Sequence, residues 1–322
     1  MRMVMKAEHK SYMTVSRPYK NVKQKRVKTI AVPQTFELLT NHNEVIGFFN
    51  SLLDSKQDRK LKQIKLDLSA VSSMDSPALC LLLSVINELA YSKIKVTGNY
   101  PNNTECAKMF IESGFLQYMR DEHGHKLNVE APNFIKEAGK SQTKNKNISD
   151  AVRRAVRFIT GSDDRFQPAY TVSMELCTNS VEHAYEKRPI HWLLGVHKVN
   201  DGTVGFTMAD TGVGILKTLN RKFKHEIEDI LHFRSNRDIL YRAFLRKYGS
   251  ATEMVNRNKG LPCVLDKYKN GLIKNLKVIT NDVYLDFGRK DADFKMQYSL
   301  PGVLFYWEID NDCLDKHKSL AI

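Results

Sequence analysis

The sequence predicts a two-domain α/β protein, and three observations carry that prediction. Strand and helix patterns alternate through the first 120 residues, a polar stretch interrupts them near residue 140, and helices and strands resume from residue 148 to about 310. The length of 322 residues agrees with two domains, at roughly 100–200 residues each. With 42% hydrophobic and 27% charged residues, both domains can bury a core without help from disulfides or a structural metal.

In the first domain, residues 31–120, Thr29-Ile30-Ala31-Val32 is a short strand. Val45, Ile46, Phe48, Phe49, Leu52 and Leu53 recur at helical spacing between Asn43 and Asp54. Ile64 to Leu68 alternates as a strand, and Ser76 to Ala90 is an apolar helix with Pro77 in its first turn. Ile94 to Thr97 is a third strand, and Asn103 to Ser113 a helix closed by Gly114. Residues 121–147 then read as a polar linker, since Lys140 to Asn147 contains no apolar residue.

The second domain, residues 148–310, opens with an amphipathic helix to Ile159 and a longer one from Pro168 to about Tyr185. Strands at Trp192 to Val199 and Thr203 to Ala209 flank the turn Asn200-Asp201-Gly202. A basic, largely helical stretch fills Leu216 to Arg257, followed by a helix from Leu261 to Lys269. Strands near 276–280 and 283–287 and a last one at 303–309 complete the domain, and residues 311–322 are a C-terminal tail.

Lys plus Arg total 50 against 36 Asp plus Glu, a net +14 that points to an anionic partner: nucleotide, nucleic acid or acidic protein. Nine basic residues against the single Glu8 make residues 1–30 a basic arm, either solvated or in contact with phosphate or acidic groups. Five dispersed cysteines without a CxxC pair read as buried small hydrophobes of a reducing, cytoplasmic compartment. No apolar run approaches the ~20 residues of a membrane span, and no apolar stretch follows the first basic residues as in a secretory leader.

Three separated pieces of the second domain carry chemistry. Glu175 and Asn179 lie one turn apart on one face of the helix Glu-Leu-Cys-Thr-Asn-Ser-Val-Glu-His-Ala-Tyr, residues 175–185. A carboxamide oxygen suits a hard cation, and a carboxylate beside it can accept a proton from a nucleophile. Alone, the pair is also what a solvated polar helix face produces. Asp210-Thr211-Gly212-Val213-Gly214-Ile215 closes an apolar strand, with a carboxylate able to accept from an exocyclic amine and glycines that let backbone approach a ligand. Lys259-Gly260-Leu261 opens a helix whose free amides, with the lysine beside them, form an anion site.

In this order and spacing the three pieces resemble the N box and two glycine boxes of the GHKL ATP-binding family. The helix is most similar to the anti-sigma-factor serine kinases. The resemblance implies a Bergerat-type α/β sandwich, with ATP between helices and one face of a mixed sheet. Asp210 would hold the adenine amine, with Thr211, Gly212 and Gly214 lining the base and ribose. Asn179 would ligate Mg²⁺, Glu175 would be the general base, and Lys259, Gly260 and Leu261 would meet the phosphates. Pro262 stands where the family usually has a second glycine, removing one backbone donor. The stretch between the glycine boxes would be the ATP lid, here carrying eleven Lys/Arg, Lys259 at its end included, against five acids.

The first domain resembles the STAS domain of anti-anti-sigma factors across Ile64 to Leu79. There Ser76 falls at the family's phosphorylated position at a helix start, although Asp75 and Ser76 also suit simple capping. A STAS-like and a kinase-like half in one chain imply a partner-switch serine kinase or ATPase acting on a protein partner, with homodimerisation as a further expectation. The alternative is a nucleotide-gated switch without phosphotransfer, associated with nucleic acid through the basic arm and lid. No membrane partner is expected.

Overall fold

The structure, a computed structural model, describes residues 3–5, 26–121, 125, 127, 134–138, 145–182, 191–222, 235–245, 260–289 and 294–320. They form a mixed α/β protein with several sheets, divided into two units, Met1–Pro132 and Asn133–Ile322.

In the first unit, β1 (Met3–Met5), β2 (Arg26–Ala31), β4 (Leu61–Asp67), β6 (Lys95–Gly98) and β7 (Met119–Arg120) form one sheet in the order β2-β4-β6-β1-β7. β2, β4 and β6 are parallel, with Ile64 opposite Val96. Parallel neighbours need crossovers, here α1 (His42–Asp54) between β2 and β4 and α2 (Ser76–Tyr91) between β4 and β6. β3 (Thr35–Phe36) and β5 (Ser73–Met74) form a separate parallel pair, and α3 (Thr104–Glu112) precedes Gly114, which takes the left-handed conformation expected after a helix end. Met3–Met5, read from sequence as part of the basic arm, pairs antiparallel with both β6 and β7.

The start of α2 is built by Asp75. One carboxylate oxygen accepts from the Ala78 amide at 2.8 Å, capping the helix, and the other accepts from the Leu39 amide at 3.0 Å. Burial nevertheless pushes this carboxyl up to about 6. The folded group therefore holds its proton more tightly than the unfolded one. That stability is fully present below pH ~4 and is lost as the pH rises through about 6. Asp75→Asn keeps a capping side chain but no charge, so thermal melts should show it gaining on wild type between those pH values. A constant difference from pH 4 to 7 would contradict the assignment.

In the second unit, β8 (Phe134–Ala138), β9 (His191–Asn200), β10 (Thr203–Asp210), β11 (Lys274–Asp286) and β12 (Phe294–Asp310) form a sheet in the order β11-β12-β10-β9-β8. All four neighbour pairs are antiparallel, where the resemblance implied a mixed sheet. The reason lies in β12, which inserts between β10 and β11. Those two strands run in the same direction but never touch as a parallel pair. The chain between them crosses one face as α6 (Ile215–Lys222), α7 (Asn236–Phe244) and α8 (Gly260–Lys269). With α4 (Asn145–Thr160) and α5 (Gln167–Glu182), these helices cover alternate residues of the sheet. Val204, Phe206 and Met208 of β10 and Phe305, Trp307 and Ile309 of β12 enter this core. Phe206 stacks on Trp307, its register partner, with centroids 5.3 Å apart.

Four sequence expectations change here. Residues 134–138, placed in the polar linker, pair as β8 with β9, Ile135 opposite Leu194. The C-terminal tail is α9 (Asn311–Leu320), started by Asp310 accepting from the Cys313 amide at 3.1 Å and anchored by buried Cys313 and Leu314. The stretch read as an ATP lid supplies core: Leu216 of α6 and Ile239, Leu240 and Phe244 of α7 are buried in the main cluster. The strands expected at 276–280 and 283–287 are two arms of the bent β11. It turns back at Asn281, and the Phe287 amide donates to the Leu276 carbonyl at 3.0 Å.

Candidate functional site

Asp210 ends β10, where the alternation that buries Phe206 and Met208 carries its side chain to the same helix-covered face. It is 6% exposed. One carboxylate oxygen accepts from the Ser180 hydroxyl of α5 at 2.6 Å, and the other from the Gly212 amide at 2.9 Å. Burial pushes the carboxyl above its ordinary range, while Ser180 and the amides of Gly212 and Val303 pull it the other way. A carboxylate has about four acceptor positions, so Asp210 can still accept from a ligand donor.

α5 ties this carboxylate to the motif helix. Leu176 and Cys177 face the core, while Glu175, Thr178 and Asn179 are half-buried and Ser180 reaches Asp210. α5 also packs against α8. At that contact a Cβ on Gly260 would lie 3.4 Å from Asn179 Nδ2 and 3.5 Å from its Oδ1. The first residue of α8 thus lies beside the carboxamide, at a separation that would leave a Cβ in ordinary van der Waals contact. Leu261, next along, is half-buried and packs on the core.

Thr211 and Gly212 are half-buried, and Gly214 is buried with φ +86°. Two neighbours that the sequence reading missed shape this loop. Thr280 Oγ1 accepts from the Ile215 amide at 3.0 Å and donates to the Gly302 carbonyl at 3.0 Å. Asn281 Oδ1 accepts from the Leu216 amide at 3.1 Å while its Nδ2 donates to the Val213 carbonyl at 3.0 Å. Gly302 is a third: a Cβ there would sit 2.0 Å from the Asp210 carbonyl oxygen. A polar Thr-Asn-Asp run interrupting an apolar strand was the only sequence signal for the first two, and Pro301-Gly302 reads as a turn rather than as strand.

The structure therefore brings together Asp210, Gly212 and Gly214 with the Ser180 end of α5, and Asn179 with Gly260. Lys259, His183, Ala184, Tyr185 and residues 248–252 lie outside the described residues. Ser76 is placed in the first unit as the first residue of α2, 6% exposed. Among the described residues, no group of three or more His, Cys, Asp and Glu is arranged to hold a metal ion. Among them also, no helix is long and apolar enough to cross a membrane. Compared with known proteins, the chain matches no family model, no curated protein and no solved structure.

Proposed function

We propose that residues 148–310 bind ATP and Mg²⁺ in the manner of the GHKL family, and act as a serine kinase or ATPase whose nucleotide state controls a protein partner. One observation carries the reading. Three sequence pieces, more than eighty residues apart at their extremes, converge on α5: Ser180 holds the Asp210 carboxylate, and Asn179 meets the glycine start of α8.

The donor set fits. Asp210 offers a buried anionic acceptor to an exocyclic amine, and Gly212 and Gly214 keep side chains away from the base. The α8 start offers free amides to phosphate oxygens. Asn179 supplies one hard oxygen. That suits an ion which keeps most of its shell from phosphates and water rather than from a protein cage. Bound ATP would supply the phosphoryl group and Mg²⁺ would neutralise its charge. Glu175, one turn before Asn179, would take the proton from the attacking hydroxyl or water. Burial of Ser76 weighs against it as the acceptor in this conformation and favours a hydroxyl on the partner, or water.

Asp210→Asn replaces an anionic acceptor by a mixed donor and acceptor opposite an amine. Losing a charged hydrogen bond worth about 1.5–3 kcal/mol should weaken ATP binding roughly ten- to hundred-fold in titration calorimetry. Because burial raises the Asp210 pKa, wild-type affinity should also fall on acidification earlier than an ordinary carboxylate would allow. The asparagine variant should lack that pH dependence. Unchanged affinity in a folded variant would remove the reading. Incubation with γ-labelled ATP then separates its branches: label on protein means kinase, free phosphate means ATPase, and neither means a binding switch without phosphotransfer.

A further inference from the structure

The bend of β11 spends three consecutive polar side chains on the glycine loop and its surroundings. Thr280 joins the end of that loop to Gly302, whose own backbone lies against Asp210. Asn281 grips both the loop and the first turn of α6, accepting from Leu216 and donating to Val213. Asp282 accepts from Asn236 Nδ2 with both oxygens, at 2.9 and 3.1 Å, fastening the bend to the first residue of α7. Asn281 is 5% exposed and holds φ +52°, a conformation that costs a side-chain-bearing residue energy. Asparagine tolerates this φ better than most side-chain-bearing residues, and here both atoms of its carboxamide are also engaged. A Cβ on Gly214 would fall 2.5–2.7 Å from the Asn281 carboxamide atoms, so the two residues fit as a pair.

We propose that Asn281 is a positioning residue for ligand binding: its carboxamide, packed on Gly214 and with Thr280 beside it, holds Val213 to Leu216 so that Gly212 is kept in place beside Asp210. It need not touch the ligand. It acts by fixing the loop before binding, so that ordering the loop is not charged against affinity. This deepens the nucleotide reading and rests on it.

A matched control exists in the same strand. Asn275 also has positive φ, +50°, but its carboxamide meets Glu308 at an exposed position. Asn281→Gly and Asn275→Gly therefore both relieve backbone strain, and only the first removes a grip on the loop. In the full chain, Mg-ATP titration should show Kd raised about ten-fold or more by Asn281→Gly, and changed less than about two-fold by Asn275→Gly. Amide exchange without nucleotide should quicken at Ile215 and Leu216 in Asn281→Gly alone. Gly214→Ala, whose new methyl group displaces the same carboxamide, should reproduce both effects. Asn281→Asp, which keeps the acceptor for Leu216 and loses the donor to Val213, should fall between. Equal Kd changes at 281 and 275, or unaltered exchange at 215 and 216, would overturn the proposal while wild-type binding upholds the nucleotide site. Failure of the wild-type chain to bind Mg-ATP would overturn both, and the exchange data would still report whether Asn281 holds the loop.

Discussion

Glu175→Ala is expected to leave ATP bound and to slow phosphoryl transfer or hydrolysis by about 10²–10⁴-fold, the usual worth of a general base. Glu175 stands four residues before Asn179 on α5, half-buried, on the helix whose next residues reach Asp210. Binding survives because the groups assigned to the base, Asp210 and the glycine loop, are anchored through Ser180, Thr280 and Asn281 rather than through Glu175. Asn179→Ala should behave differently, weakening the magnesium-dependent part of affinity. Single-turnover kinetics at saturating ATP would separate the two. Normal turnover by Glu175→Ala would reduce Glu175 to a structural residue of the helix surface.

The second large effect concerns α7. Phe244 is 1% exposed, with its ring 4.9 Å from that of Phe287 and 6.3 Å from that of Phe305, centroid to centroid. Phe244→Ala should cost about 3–5 kcal/mol in urea denaturation, through lost transfer energy and a cavity that rigid neighbours cannot collapse. A hinged lid would give nearly nothing, because its side chains are solvated in the open state. The experiment thus decides whether the long basic stretch between the glycine boxes is core or lid at α7. The hydrogen bonds from Asn236 to Asp282 and the Ser235 capping box favour core, since they fix where this helix begins.

Legibility followed periodicity. Val45 to Leu53 and Ser76 to Ala90 declare helices within a residue or so of those observed, because each repeat of the helix buries one more apolar side chain. Thr203 to Asp210 is equally plain, since Val204, Phe206 and Met208 place a large apolar side chain at every second position. Where the chain departs from that rule the reading failed. Met3–Met5 and Phe134–Ala138 are strands of three and five residues inside charged or polar surroundings. Their pairing comes from sheet edges built elsewhere in the chain. α9 was hidden for the same reason: it presents only Cys313 and Leu314 to the core, too few to stand out over ten residues.

The candidate site divides along the same line. The sequence by itself determined which groups the second unit has to work with: the Glu175–Asn179 spacing, the carboxylate at the end of β10, and glycines where backbone must come close. Such features are local, set by helix pitch and by φ, and a linear string records them. Only the tertiary structure decided that Ser180, distant in sequence, joins the neighbouring Gly212 amide in holding that carboxylate. It alone placed Thr280 and Asn281 behind the glycine loop, and brought Gly302 so near Asp210 that no side chain fits between them. It also buried Ile239, Leu240 and Phe244 of the stretch read as a lid. The physical reason is that a buried polar group must find partners wherever the fold brings them. β12 inserts between β10 and β11, so residues 65 to 92 positions away in the chain become the nearest donors and walls of Asp210 and its loop.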